Sequence, residues 1–358
     1  MQDRQNTTPV QSYAAQTVFV GIDVHKKRYV VVAQLNQVIL KKWSTAAVPD
    51  ELAKQLLKYF PQATIRSVYE AGFSGFVLHR VLHQHGIDNI VVHAAAVEVA
   101  WHHRVKTDKR DAKKLASQLE AGRLQGIRVP DPQQEQRRLL SRTRAQLVQQ
   151  RARVKNQIRM KAHQFGLIAC DDEREMSHKL VKELLQRSPF EEFALVVQLH
   201  YQVWKSLDEQ IVKLTDKLNQ QAKDDPNQAT YCSAPGVGKV SARVLANELG
   251  DMSAFANERA LFSYTGLTPS EHSSGEQVRR GRITKQGNRY LRGILIEVAW
   301  RAIRKDQSLA QFFQRVQLRA GSTRAIVAVA RKLIGRIRAA LRKGERYASQ
   351  PLVKSRVA

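Results

Sequence analysis

β-branched, apolar runs recur through the first 120 residues in an order that few chain topologies accommodate: three in direct succession, then helix and strand in alternation. The first run, "TVFVGIDV", spans 17–24 and resumes after a short basic turn as a second over 28–35, with a third over 38–43. The spacing then predicts a helix near 49–59, a strand over 63–69, a helix over 75–85, a strand over 89–93 and a helix from 107. A three-strand meander passing into alternating helices and strands defines an α/β class.

Four carboxylates fall at the functional ends of these elements. Asp23 lies at the end of the first run, Glu70 closes "ATIRSVYEAG", and Asp108 and Asp111 share one face of the helix in "KTDKRDAKKLASQLEAG" through their i,i+3 spacing. This is the element order of an RNase H-like α/β fold, and two strand ends and one helix can converge there. Clustered carboxylates repel, and a divalent cation with hard oxygen ligands offsets that repulsion; Mg²⁺ also keeps waters that substrate phosphates can replace. Two such ions roughly 3.5–4 Å apart would clamp the attacking and leaving oxygens of an in-line displacement. Taken singly, Asp108 and Asp111 equally suit a helix N-terminus, and Asp23 and Glu70 suit ordinary polar strand ends. Their joint placement favours phosphodiester chemistry.

The 358-residue chain is long enough for two or three domains, and its formal net charge of +27 makes a polyanion the leading partner. From Arg279 to Arg346 there are 19 Lys/Arg against three acids, so the charge is carried on predicted helices rather than on a tail. No long apolar span or basic amphipathic anchor points to a membrane, and nucleic acid fits better. Two cysteines, Cys170 and Cys232, have no metal-type spacing and imply a reducing, cytoplasmic compartment. Residues 1–15 are polar and lack a signal-peptide core, and they are expected to be a disordered lead-in.

"GRLQGIRVPDP" ends the first domain, expected over 16–130. A helical spacer follows over 131–225, with Leu140, Leu147, Val154 and Ile158 on one helix and Val203, Leu207, Ile211, Leu214 and Leu218 on another. Such a pair predicts a helical hairpin or coiled coil with a structural and dimerising role, its Arg-rich outer face also suited to a phosphate backbone. A mainly α third domain is expected over 226–346, before a tail over 347–358. It opens on "PGVGK", where Gly236, Gly238 and Lys239 resemble a helix–hairpin–helix turn whose backbone N–H groups seat a phosphate, although Pro-Gly-x-Gly also serves as a plain connector. A polar loop from Pro269 to Gly287 then carries Ser273 and Ser274, with Arg279, Arg280, Arg282, Lys285, Arg289 and Arg292 close behind. The loop supplies cations for a phosphodiester but no evident base to activate a serine. Amphipathic basic helices are expected over Leu309–Leu318 and Ala325–Leu341.

"GIDVHK", "YEAG" and "KTDKRDA", together with "PGVGKVSA", "TGLTP", "SSG" and "ITKQGNRYLR", resemble the DEDD insertion-sequence transposases of the insertion-sequence 110 type, which act as bridge-RNA-guided DNA recombinases. The resemblance covers nearly the whole chain. It implies a RuvC-like first domain in which Asp23, Glu70, Asp108 and Asp111 bind Mg²⁺, and a C-terminal transposase domain with a serine nucleophile. The family's spacing from "GLTP" selects Ser274 over its neighbour Ser273. It further implies a composite site assembled between protomers of a dimer, or of a tetramer built as two dimers, and a guide RNA that pairs with donor and target double-stranded DNA. The expected activity is strand cutting and rejoining through a phosphoserine link, in a bacterial cytoplasm and associated with the nucleoid. Its rivals are a RuvC-like junction-resolving nuclease, which needs no serine, and a non-enzymatic nucleic-acid scaffold.

Overall fold

The computed structural model describes residues 12–94, 97, 108–271 and 280–349, in two compact units that divide between Val129 and Pro130. In the first unit, strands β1 (Thr17–Val24), β2 (Arg28–Leu35), β3 (Val38–Ala46), β4 (Thr64–Glu70) and β5 (Asp88–Val92) form one sheet in the order β3-β2-β1-β4-β5. The meander is antiparallel, whereas β1–β4 and β4–β5 are parallel and joined through α1 (Pro49–Tyr59) and α2 (Val77–Gln84). Period-2 alternation assigns the faces. Val18, Val20 and Ile22 bury against Leu52, Leu56, Leu78 and Leu82 of α1 and α2, each residue removing apolar surface from water. The other face packs Val30, Val32, Val68 and Val92 under Ala112, Leu115 and Leu119 of α3 (Asp108–Glu120).

Helix α3 comes unusually near the sheet. A Cβ built on Gly21 would lie 2.0 Å from the Ala112 carbonyl oxygen and 2.6 Å from the Ala116 nitrogen, so only glycine permits the crossing. Of the expected lead-in, residues 1–11 lie outside the described residues, while Tyr13 is buried, its ring edge-on to Phe60, and Ser12 donates to Gln62 Oε1 at 3.1 Å. The β3 strand also runs three residues further than its apolar pattern, because Gln55 of α1 accepts from Trp43 Nε1 and donates to Thr45 Oγ1.

In the second unit, α4 (Pro132–Gln164) and α6 (Glu191–Lys223) form an antiparallel pair with α5 (His178–Gln186) near the turn. Arg144 meets Thr215 and Arg151 meets Asp208, each at 2.7 Å, which fixes the antiparallel register. Trp204, Leu207, Ile211 and Leu218 line the buried face of α6, while Val203, expected on it, is 51% exposed; the stripe turns one residue past the expected position to admit the larger indole. The rest of the unit comprises α7 (Asn227–Ser233), α8 (Lys239–Leu249), α9 (Glu258–Thr265), a two-stranded ribbon of β6 (Pro269–Glu271) and β7 (Arg280–Ile283), α10 (Arg289–Ala302), α11 (Gln307–Ala320) and α12 (Ser322–Lys343). Leu291, Leu295 and Val298 of α10 and Ile326, Val329, Leu333 and Ile337 of α12 form its core. The expected tail begins packed: Tyr347 is buried, and its amide donates to Ser233 Oγ at 2.8 Å. No helix among the described residues is long and apolar enough to cross a membrane.

Candidate nuclease face and serine hairpin

Parallel pairing of β1 with β4 ends at the rung Ile22–Tyr69, one residue before Asp23 and Glu70. Both acids therefore stand at the same edge of the sheet. Alternation places Asp23 with Phe19 and Gly21, and Glu70 with Val68, on the face that α3 covers. Asp111 directly precedes Ala112, the residue whose carbonyl lies against Gly21, so the glycine crossing brings the acidic turn of α3 over the ends of β1 and β4. Asp108 begins the helix, and its side chain lies outside the described residues. Asp23 is 24% exposed and its Oδ2 lies 3.1 Å from His25 Nε2. His25 was not singled out from the sequence, although its place in "GIDVHK", two residues beyond the acid and just past the end of β1, was available as a signal.

Among the described residues no three His, Cys, Asp or Glu side chains stand close enough together to hold a metal ion. By chemistry alone Asp23, Glu70 and Asp111 suit Mg²⁺, being hard oxygen donors that are neither fully buried nor more than half exposed; Asp23 and Glu70 share one sheet edge, and Asp111 is not gathered with them into a site.

In the second unit the polar loop is braced at its base. β6 and β7 pair antiparallel, from Pro269–Ile283 to Glu271–Arg280, and the Thr284 amide donates to Thr268 O at 3.0 Å. Ser273, Ser274 and Arg279 lie in sequence between the two strands, outside the described residues, as does the side chain of Arg280. Below the ribbon, Gly266 ends α9 in the left-handed region at φ 68°. Gly287, at φ 106°, approaches it so closely that a Cβ would lie 2.6 Å from Ser263 O and 2.8 Å from Gly266 N. These contacts give the glycines of "TGLTP" and "KQGNRY" a packing reason. Arg282, Lys285 and Arg289 are exposed on this element, and half-buried Arg292 donates to Lys285 O at 3.2 Å. Lys285 itself holds φ 57°, an uncommon conformation for a residue with a side chain.

The "PGVGK" turn divides into two roles. Gly236, at φ 77°, faces α10, where a Cβ would fall 2.7 Å from Val298 O and 2.8 Å from Ala302 N, so this glycine is required by packing. Gly238 caps α8 with open space around it, and Lys239 beside it is exposed. The long basic segment is likewise mixed. Arg338 is buried and donates to Phe255 O at 2.7 Å and Ala256 O at 3.2 Å, and Arg336 bonds Ser308 and Tyr347, so several of its cations hold the fold.

Comparison with known proteins agrees with both units. Residues 20–165 match the DEDD transposase domain of IS110 type, and residues 229–314 match the transposase IS116/IS110/IS902 family. A Sinorhizobium fredii protein named as a transposase, y4qE, is 30% identical over 289 residues, covering 79% of this chain and 71% of its own length. The transposase for insertion sequence element IS1111A of Coxiella burnetii is 28% identical over 250 residues, 68% of each chain. The pilin gene-inverting protein of Moraxella bovis is 29% identical over 143 residues, 39% of this chain and 41% of its own. With the acidic face carried by the first matched region and the braced hairpin by the second, the chain belongs to the IS110-type family of transposases.

Proposed function

We propose that this transposase cuts and rejoins donor and target DNA strands, guided by a structured RNA, through a phosphoserine link at Ser274. The observation that carries the proposal is the presence, in one chain, of an acidic sheet edge suited to a nuclease and a braced ribbon joined through Ser273–Ser274–Gly275, which a plain nuclease does not need. The Moraxella relative, named for inverting a gene, supports rejoining over hydrolysis, since inversion leaves strands resealed.

The Ser274 hydroxyl oxygen bonds to phosphorus while one phosphorus–deoxyribose oxygen bond breaks; the serine proton is given up and the departing oxygen gains one. In the second half, a strand hydroxyl bonds to the same phosphorus and the serine oxygen leaves, recovering its proton. No water is consumed. Asp23, Glu70, Asp108 and Asp111 would hold Mg²⁺, which when bound supplies charge neutralisation for the phosphate oxygens. Arg282, Lys285 and Arg289 stand exposed to bind phosphates flanking the reacting one. Gly238 and Lys239 offer a second phosphate contact.

The test is a labelled-DNA adduct on denatured protein, scored beside the joined product. Ser274→Ala is expected to bind DNA without forming adduct or product, and Ser273→Ala to keep substantial activity. Adduct lost only in Ser273→Ala moves the nucleophile by one residue, and joining by the double variant ends the serine mechanism. Cleavage without joining in the wild type would favour the junction nuclease. For the guide, sequencing of RNA that co-purifies with the protein is expected to return one structured species encoded beside the transposase; random fragments would count against guidance.

A further inference from the structure

We infer that Glu248 is a positioning residue that couples helix α4 to the serine-bearing ribbon through Asn288, an inference that rests on the serine reading above. Glu248 is completely buried in the last turn of α8, where both desolvation and the helix dipole disfavour an anion. Its carboxylate is nonetheless fully partnered. Oε1 accepts from Arg142 Nε at 2.7 Å, and Oε2 accepts from Arg142 Nη2 at 2.9 Å and from Asn288 Nδ2 at 2.8 Å. Arg138 adds a guanidinium nitrogen 3.6 Å from Oε2 and donates to the Glu248 carbonyl at 2.7 Å.

Asn288 is the point at which the chain returning from β7 enters α10. Its Oδ1 caps that helix by accepting from the Tyr290 and Leu291 amides at 3.0 and 3.3 Å, and its own amide donates to Tyr264 O at 2.8 Å. With Nδ2 committed to Glu248, every polar atom of the side chain is used, and the amide plane has one orientation. The network thus runs from α4, through a buried anion, to the base of the ribbon in whose connection Ser274 lies. Neither the acidic face nor the expected cation surface requires it. A buried charge cluster of this kind specifies a relative placement of elements more than it stabilises them. Here the elements are α4, α8 and the start of α10, and the quantity set is the seat of the ribbon.

Asn288→Ser is the discriminating variant, because serine still caps α10 but has no donor to reach Glu248. Arg142→Lys removes the two-pronged contact while keeping the charge. Each is expected to lower the single-turnover joining rate at saturating DNA roughly tenfold to a hundredfold, the scale of a small misplacement of reacting groups, with DNA affinity unchanged; the thermal midpoint falls, because a buried carboxylate loses a partner, but both variants stay folded at the assay temperature. The double variant is expected to be no slower than the slower single one. Arg151→Lys, further along α4 at its pair with Asp208, is the control and keeps the wild-type rate. Amide hydrogen exchange reads the coupling without any chemistry: Arg142→Lys should speed exchange at Thr284 and Asn288 while amides inside α12 keep their protection. Wild-type exchange at those two amides, or rates that multiply in the double variant, would overturn the coupling. Joining without adduct in the wild type would remove the serine mechanism alone, leaving the coupling to be judged by exchange and joining rates.

Discussion

Carboxylates in the two units meet opposite surroundings. Asp23 and Glu70 stand part-exposed at a sheet edge, arranged by strand register and one glycine, whereas Glu248 is sealed from water and satisfied by Arg142, Arg138 and Asn288. An anion at a solvent-accessible edge keeps part of its hydration, while an anion enclosed by guanidinium groups is neutralised by the protein itself. The same side-chain chemistry is therefore left part-exposed in one unit and used to hold elements together in the other.

The sharpest way to break this contrast is Glu248→Ala. Removing the anion leaves Arg142 and Arg138 facing an empty site, and an unfolding free energy lower by about 3 kcal/mol is expected in urea titration, the low end for a broken buried pair because Arg142 keeps some water. A loss below about 0.5 kcal/mol, the level of an ordinary surface change, would show that Glu248 is not a structural anion. Gly21→Ala comes next. The added methyl must push α3 off β1, at about 2 kcal/mol by the usual cost of overpacking, whereas Gly72→Ala, whose Cβ meets nothing nearer than 3.9 Å, should stay within about 0.5 kcal/mol. Equal thermal shifts in the two variants would contradict the backbone crossing. Asp23→Asn is expected to abolish strand joining yet alter stability by no more than about 0.5 kcal/mol, as measured by calorimetry beside the joining assay. Retained joining in Mg²⁺ would reassign the acidic edge to a structural role.

Asp172 supplies the smallest effect and a third kind of carboxylate. Hydrogen bonds from the Arg174 side chain, and then from its backbone, lower its pKa to about 2. A depressed acid stabilises the fold above its ordinary value and loses that contribution as pH falls through the folded one. Carboxyl-carbon NMR should therefore show Asp172 titrating near 2, with Arg174→Ala raising it towards the ordinary range while the backbone hydrogen bond keeps part of the depression. An unchanged titration in that variant would rule out Arg174 as the cause.

The sheet unit was legible because its signals are local. Alternation in "TVFVGIDV" sets both the strand and the face on which Asp23 emerges, and each later element announces itself over five or more residues. The ribbon β6–β7 was not, since "PSE" and "RGRI" are too short and polar to read as strands and pair only because Gly266 and Gly287 draw their flanks together. Glu248 was the least legible. In "ANELGD" it looks like any helix-surface acid, and its burial is decided by an arginine 106 positions earlier in the chain. Tyr13 was hidden for a related reason: a lone aromatic among polar residues carries no period, and only Phe60 gives it a place.

At Gly21 the helix and the sheet touch main chain to main chain, with no side chain intervening. The mounting of the acidic edge is thus independent of the identities of the residues mounted on it. Substitution at 23, 70 or 111 can alter charge or reach while the geometry of attachment persists, whereas position 21 admits almost no variation. Selection on chemistry and selection on architecture consequently fall on different residues, and a descendant of this chain could change the acids at this edge without relearning how to fold.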